Sequence, residues 1–265
     1  MRFLILGMLL LIQYQVLFAQ QKPVAKKANI GAKKPAISNA VVTGGREIAI
    51  TLTPLKNCTV YLGSYFGKGM TLVDSTRLDQ NSKGVFKGPK KLTTGIYFVV
   101  SPTYTIQFEL LMDDKQMFNI QADTSAKEAV IITGSPDNDL FKNYAVFSNE
   151  KGRTLQQLKQ VLQSASGADA NQIKTSIANT EKEIKQYQAN IHKNHPKSLL
   201  STLFHIMQRP ELPPVPVVNG KPDSVYPYQY VKQHYWDNVL FNEDRLLRTP
   251  FFESKLDEYF KYYVS

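Results

Sequence analysis

Cysteine is nearly absent from this chain of 265 residues, which contains Cys58 alone. A single cysteine cannot form a disulfide within the chain, and it cannot supply the two thiols of a Cys-x-x-Cys redox pair. Stability must therefore come from packing, and redox chemistry that needs two thiols is excluded for these residues. Cys58 begins an apolar stretch that ends at Leu62, so we interpret it as a buried small hydrophobic residue, with a reactive thiol as the alternative.

Long hydrophobic runs are also absent. The run Phe3–Ile12 contains Gly7 and is shorter than the roughly 20 residues that cross a bilayer. Arg2 precedes this run and Ala19 offers a small residue at a cleavage position, so residues 1–19 are predicted to be a secretory signal peptide, with a membrane anchor as the alternative. We therefore expect an exported protein of the periplasm or cell envelope that does not span the membrane.

Motifs for nucleophilic catalysis and phosphate binding are missing as well. There is no Gly-x-Ser-x-Gly elbow and no Ser-x-x-Lys pair, and the glycine cluster at 43–46 is too short to cradle a phosphate. His192 and His195 lack a nearby carboxylate or cysteine, so we interpret them as caps of a helix C-terminus rather than zinc ligands. His205 and His234 are interpreted as packed residues. The sequence therefore predicts no catalytic residue, no metal site and no cofactor.

The formal net charge of +10 does not indicate nucleic-acid binding, because much of it precedes the globular part. Five lysines follow the signal peptide without an acidic residue between them, at Lys22, Lys26, Lys27, Lys33 and Lys34. Together with proline and alanine, they predict that residues 20–44 form a disordered leader. The remaining chain is only mildly basic, and no nucleic-acid partner is expected.

Residues 45–134 are predicted to form an antiparallel β-sandwich, because short β-rich runs alternate with polar turns. The residues at 97–100 and the alternating Ile106, Phe108 and Leu110 supply inward-facing side chains. The expected strands are Glu47–Thr53, Cys58–Ser64, Thr71–Leu78, Gly84–Gly88, Gly95–Ser101, Tyr104–Leu111, Gln116–Ala122 and Ala129–Thr133.

Helical periodicity begins after Gly134, where Ser135 is expected to cap a helix that starts at Pro136. Two long helices are expected to form an αα-hairpin, followed by a helix from Pro196 to Met207. A proline-rich, extended connector then covers residues 210–227. Aromatic helices are expected at Tyr228–Phe241 and Pro250–Tyr263. The sequence thus predicts an α+β protein, an N-terminal antiparallel β-sandwich followed by an all-helical domain at 135–265.

The last two predicted helices carry more aromatic side chains than two short helices can bury between themselves. Such side chains need a surface to pack against. The candidates for contact with a ligand or partner are Tyr230, Tyr235, Trp236, Phe251, Phe252 and Tyr259.

Five sequence blocks, taken in order, resemble the N-terminal portion of Bacteroidetes cell-envelope proteins of the thioredoxin-like (TlpA/AhpC-TSA) group. In those proteins a β-sandwich and a helical domain, both of unknown function, precede the thioredoxin-like domain. The blocks are VDSTRLDQNSKGVFKG at 73–88, GIYFVV at 95–100, ITGSPDNDLFKNY at 132–144, NHPKSLLSTL at 194–203 and YVKQHYWDNVLFNEDRLLRTPFFESKLDEYF at 230–260.

This resemblance implies a non-catalytic accessory or recognition region of a thiol–disulfide protein. The partner would be a protein, a peptide or a C-terminal thioredoxin-like domain. The family's redox cysteines have no counterpart here, so we expect a helical domain truncated at its C-terminus, with a shortened paralogue as the alternative. A free-standing periplasmic binding module for a small ligand or glycan is the second interpretation, and a hydrolase with scattered catalytic residues is the third.

Overall fold

The computed structural model describes residues 45–125 and 130–264. The predicted signal peptide and leader lie outside these ranges. Eight strands come first: β1 Arg46–Thr53, β2 Thr59–Phe66, β3 Gly69–Arg77, β4 Lys83–Gly88, β5 Gly95–Val100, β6 Ile106–Met112, β7 Met117–Asp123 and β8 Ile131–Thr133. The helices are α1 Pro136–Leu162, α2 Gly167–Asn194, α3 Leu199–Met207, α4 Tyr226–His234 and α5 Pro250–Tyr259, with a 3-10 helix at Asp244–Arg248 and a π-helical turn at Phe260–Val264. The predicted α+β class is confirmed.

The strands form two four-stranded sheets, in the orders β4-β1-β7-β8 and β3-β2-β5-β6. All neighbouring strands run antiparallel except β1 and β7, which run parallel from Glu47 opposite Met117 to Thr53 opposite Asp123. Buried side chains of both sheets, among them Ile48, Leu62 and Val99, share one core between the layers. The sequence pattern shows alternation along a strand but not the direction of its neighbour, so it could not reveal the parallel pair.

Strand β5 is buried along its whole length because the sheet that contains it is covered on both faces. Tyr97 and Val99 point into the core between the sheets. Ile96 lies on the opposite face, where it packs with Leu111 of β6 and with Leu199 and Leu203 of α3. Helix α3 therefore forms part of a third layer on this face of the sheet.

Gly63 is required on β2 because the ring of Phe98 occupies the space of a side chain. A Cβ at this position would lie 2.2 Å from the ring. We expect Gly63→Ala to lower the free energy of unfolding by about 2 kcal/mol, the usual cost of an overpacked core. Urea unfolding measures the loss, and Phe98→Leu should recover part of it. Simply additive losses in the double variant would contradict the contact.

Helix α3 packs against all other parts of the fold. Leu199 and Leu203 face the sheet. Leu200 and Phe204 pack against the α1–α2 hairpin, whereas Ile206 packs against the C-terminal segment. An apolar surface on every side is typical of a buried helix. Helix α3 therefore holds the sheets, the hairpin and the C-terminal helices together.

Two helix starts differ in detail from the expectation. Helix α3 begins at Leu199 rather than Pro196, because the Ser198 hydroxyl accepts from the Ser201 amide at 3.1 Å and a carboxylate oxygen of Asp137 accepts from the Leu199 amide at 3.0 Å. At α1, the Ser135 side chain makes no bond to the helix backbone. Its hydroxyl instead accepts from the side-chain amide of Asn138 at 2.8 Å.

The C-terminal segment contains less helix than expected. Helix α4 ends at His234, not Phe241, because the chain turns tightly where the Val239 amide donates to the Trp236 carbonyl at 2.9 Å. The proline-rich connector is non-helical from 208 to 225, apart from a two-residue strand pair at Val217–Val218 and Lys221–Pro222. None of the helices in the two described ranges is long and apolar enough to cross a membrane.

Candidate functional site

The C-terminal helices bring several of the expected aromatic residues into one cluster. Tyr235 lies at its centre and is only 2% exposed. Its ring centroid lies 5.0 Å from that of Trp236, 5.1 Å from that of Tyr259 and 5.3 Å from that of Tyr263. Tyr259 and Tyr263 meet because residues four apart share one face of a helix. We call these four residues the aromatic cluster.

Three exposed aromatic residues extend the cluster to the surface. Phe241 is 67% exposed and touches Trp236, whereas Phe260 is 55% exposed and touches Tyr259. Tyr228 is also exposed, and its ring lies 5.6 Å from that of Tyr263. We call Tyr228, Phe241 and Phe260 the aromatic rim. These residues were not among the candidates from the sequence, although the spacing of four between Tyr259 and Tyr263 could have indicated where the ring cluster lies.

The remaining sequence candidates lie outside the cluster. Tyr230 packs beside Tyr226 and His234 on α4. Phe251 packs against the cluster that Ile96 of the sheet forms with α3, and it also packs against Ile206. Phe252 packs against Ile206 as well. The two phenylalanines therefore join α5 to the protein interior. Of the six candidates, Tyr235, Trp236 and Tyr259 are brought together.

The aromatic cluster packs against a buried lysine, Lys255, and the polar residues bonded around it. Lys255 is 8% exposed, its Nζ donates to the Gln208 carbonyl at 3.2 Å, and it lies 4.7 Å from the ring centroid of Tyr235. The Tyr235 hydroxyl lies 3.0 Å from a carboxylate oxygen of Glu258, which also pairs with Arg209. These bonds tie the connector, α4 and α5 into one rigid base.

Burial perturbs the two titratable groups at the centre of this base. It lowers the pKa of the Lys255 ammonium to about 8, because the charged form is desolvated. It also raises the pKa of the Tyr235 hydroxyl, and the nearby Glu258 carboxylate acts in the same direction. Lys255 donates to the Gln208 carbonyl and lies against the Tyr235 ring, so the lysine packs beneath the cluster.

A cleft of about 440 Å³ lies where the β6–β7 turn, α1, the α2–α3 connection and the 3-10 helix meet. Asp113 and Asp137 line one side, and burial raises the pKa of the Asp113 carboxyl. Arg245 lies on the other side, where its guanidinium is held by Glu243 at 2.8 Å and by the Lys197 carbonyl at 2.9 Å. Arg245 also donates to the Thr202 hydroxyl, and Asp137 accepts from the Leu199 amide, so these two cleft residues form bonds between different elements of the fold.

The described residues contain no group of three His, Cys, Asp or Glu side chains that could hold a metal ion. Cys58 is partly exposed and packs against the core between the sheets. The burial expected for Cys58 is therefore only partial.

The family comparison concerns the strands and the start of α1. A family model described as a domain of unknown function, DUF4369, matches residues 46–141. No curated protein and no solved structure gives a significant match to the chain. The matched residues extend beyond the last strand, and Phe141 of α1 packs onto the Ile96 group of the sheet. The first turns of α1 thus pack against the face of the sheet that carries Ile96.

Proposed function

We propose that this chain is the non-catalytic recognition region of an exported thioredoxin-like thiol–disulfide protein, and that the aromatic rim docks a thioredoxin-like domain. The observation that carries the proposal is the aromatic rim, in which Phe241 and Phe260 are mostly exposed beside a cluster whose central residue, Tyr235, is buried. The match to a domain of unknown function is consistent with an accessory region, and the order of the five sequence blocks supports the thioredoxin-like part of the proposal.

The physical properties of the rim suit a protein partner. The centres of protein interfaces are enriched in tyrosine, tryptophan and phenylalanine. The base of Lys255, Glu258 and Arg209 holds the cluster in place, so little conformational entropy remains to be lost on binding. A rigid aromatic surface of this kind is typical of an interface hot spot.

The alternative is a free-standing binding module for a small ligand or glycan. A deep pocket lined by Trp236 would favour it, because small-molecule sites are concave. The 440 Å³ cleft is lined by residues 94, 112–115, 137, 194–199 and 245, none of which belongs to the aromatic cluster. The position of this cleft therefore favours docking of a protein over enclosure of a small ligand at the cluster.

The first test is the coding sequence that follows the codon for Ser265. A reading frame that continues into a domain with Cys-x-x-Cys would support the proposal. A stop codon at that point would overturn the thioredoxin-like part of it, and the binding-module interpretation would replace it.

The second test removes the rim. With the thioredoxin-like domain encoded downstream supplied as a separate protein, we expect Phe241→Ser with Phe260→Ser to weaken its binding to this chain by about 100-fold, since each hot-spot residue contributes on the order of tenfold or more. Isothermal titration calorimetry measures the dissociation constant. Val146→Ser removes an equally exposed apolar side chain from α1 and serves as the control. Equal affinities for the wild type and the rim variant would contradict docking at the rim.

A further inference from the structure

Two histidines from different helices meet at the joint between α2 and α3. Nδ1 of His192, in the last turn of α2, lies 3.1 Å from Nε2 of His205 in α3. The same Nδ1 lies 2.8 Å from the hydroxyl of Ser201, which is fully buried. The ring planes stand at 84° with centroids 4.4 Å apart. This pair is not predictable from the sequence, in which His192 lies close to His195 and His205 lies in an apolar helix.

The contact between the rings requires a particular protonation state. A hydrogen bond between two imidazole nitrogens needs one protonated nitrogen and one free lone pair. One added proton can still be shared between the rings. When both rings are protonated, two N–H groups and two positive charges face each other, so the bond is lost and repulsion replaces it. Burial, followed by the charge of His192, lowers the pKa of His205.

The charged side chains around the pair are bonded to groups other than the two rings. On the 3-10 helix, Arg245 donates to the Thr202 hydroxyl and pairs with Glu243. The connector holds Glu211, which pairs with Lys185 of α2, and Arg209, which pairs with Glu258 of α5. On α1, the Tyr144 hydroxyl accepts from Gln188 of α2, and Asp137 accepts from the Leu199 amide. Within residues 45–125 and 130–264, no carboxylate is hydrogen-bonded to His192 or His205.

We propose that the His192–His205 pair is an acid-sensitive joint, closed while at least one ring is neutral and opened when both rings are protonated.

The position of the histidine pair determines which packing contacts would be lost when the joint opens. Ile191, the neighbour of His192, packs with Tyr144 of α1 and with Leu200 and Phe204 of α3. The other faces of α3 stay attached to the sheet and to the C-terminal segment. Acidification therefore loosens the packing of α2 against α1 and α3, while the sheet and the residues packed on Ile206 keep their contacts with α3.

Hydrogen exchange on the full chain tests the joint. We compare amide protection at about pH 7 and about pH 5, on either side of the usual histidine pKa of about 6.5. After correction for the intrinsic exchange rate, we expect the amides around 188–195 to lose about tenfold protection at the lower pH, and those of β5 to change little. No such loss in the wild type would overturn the proposal.

The matched variant is His205→Gln, which keeps a hydrogen-bonding side chain but cannot take up a second charge. We expect it to show the same protection at both pH values. His234→Gln removes a histidine that pairs with Asp237 elsewhere and should behave as the wild type. A loss of amide protection in His205→Gln as large as in the wild type would overturn the proposal. So would a His205 ring that titrates above about 6.5 in NMR spectra of the unmodified chain, a measurement that needs no variant.

Discussion

Replacing Asn138 by leucine is expected to lower the free energy of unfolding by about 4 kcal/mol. The buried Asn138 side chain accepts from the Leu111 amide at 2.9 Å and donates to the Leu111 carbonyl at 2.7 Å. It therefore pairs with the edge of β6 as a neighbouring strand would. Leucine would leave both backbone groups buried without a partner, and each such group costs roughly 1 to 3 kcal/mol. Urea unfolding at neutral pH measures the change.

Asn143 supplies the control for this prediction, since it lies on the same helix and is exposed. Asn143→Leu is expected to change the free energy of unfolding by less than about 0.5 kcal/mol, as is usual for surface substitutions. Equal losses in the two variants would show that the bonds to Leu111 do not stabilise the fold. A larger loss at Asn138 would show that the first turns of α1, which lie within the residues matched by the family model, stabilise the sheet.

Most of the secondary structure could be predicted from local patterns. The alternation of Ile106, Phe108 and Leu110 indicates a strand, and the change of period after Gly134 marks the start of the helices. Side-chain partners from distant segments could not be predicted in this way. The parallel pairing of β1 with β7 and the bonds of Asn138 to Leu111 join segments far apart in sequence. The early end of α4 depends on the tight turn at Trp236–Val239, which the aromatic composition does not encode.

The candidate site could likewise be predicted only in part from the sequence. Composition correctly indicated that aromatic side chains concentrate near the C-terminus, and Tyr235, Trp236 and Tyr259 do meet there. Composition could not separate inward-facing from outward-facing rings. Phe252 packs inside, whereas Phe260 is exposed although both lie in the same stretch of chain. That distinction depends on which face of α5 rests on α3, and this is a property of the tertiary structure.

Lys255 should make the stability of the protein rise with pH. Its pKa is about 8 in the folded protein and about 10.5 in the unfolded chain. Between these values the unfolded chain binds a proton that the folded protein has released, so the free energy of unfolding increases as the pH rises. From about pH 7 to about pH 10 the gain is roughly 2 to 3 kcal/mol. Above about pH 10 the trend reverses, because the pKa of Tyr235 is raised and the unfolded chain loses that proton first.

Lys255→Met should abolish the rise between about pH 8 and about pH 10 and leave a flat profile there. At neutral pH the variant is expected to be at least as stable as the wild type, because methionine fills the site without burying a charge, which offsets the lost contact with Tyr235. Urea unfolding across this pH range measures both effects. Lys232→Met, which changes an exposed lysine of α4, should retain the rise. If the free energy of unfolding of Lys255→Met still rose with pH, another group would carry the pH dependence. The rigid base beneath the aromatic cluster would then not depend on a desolvated lysine.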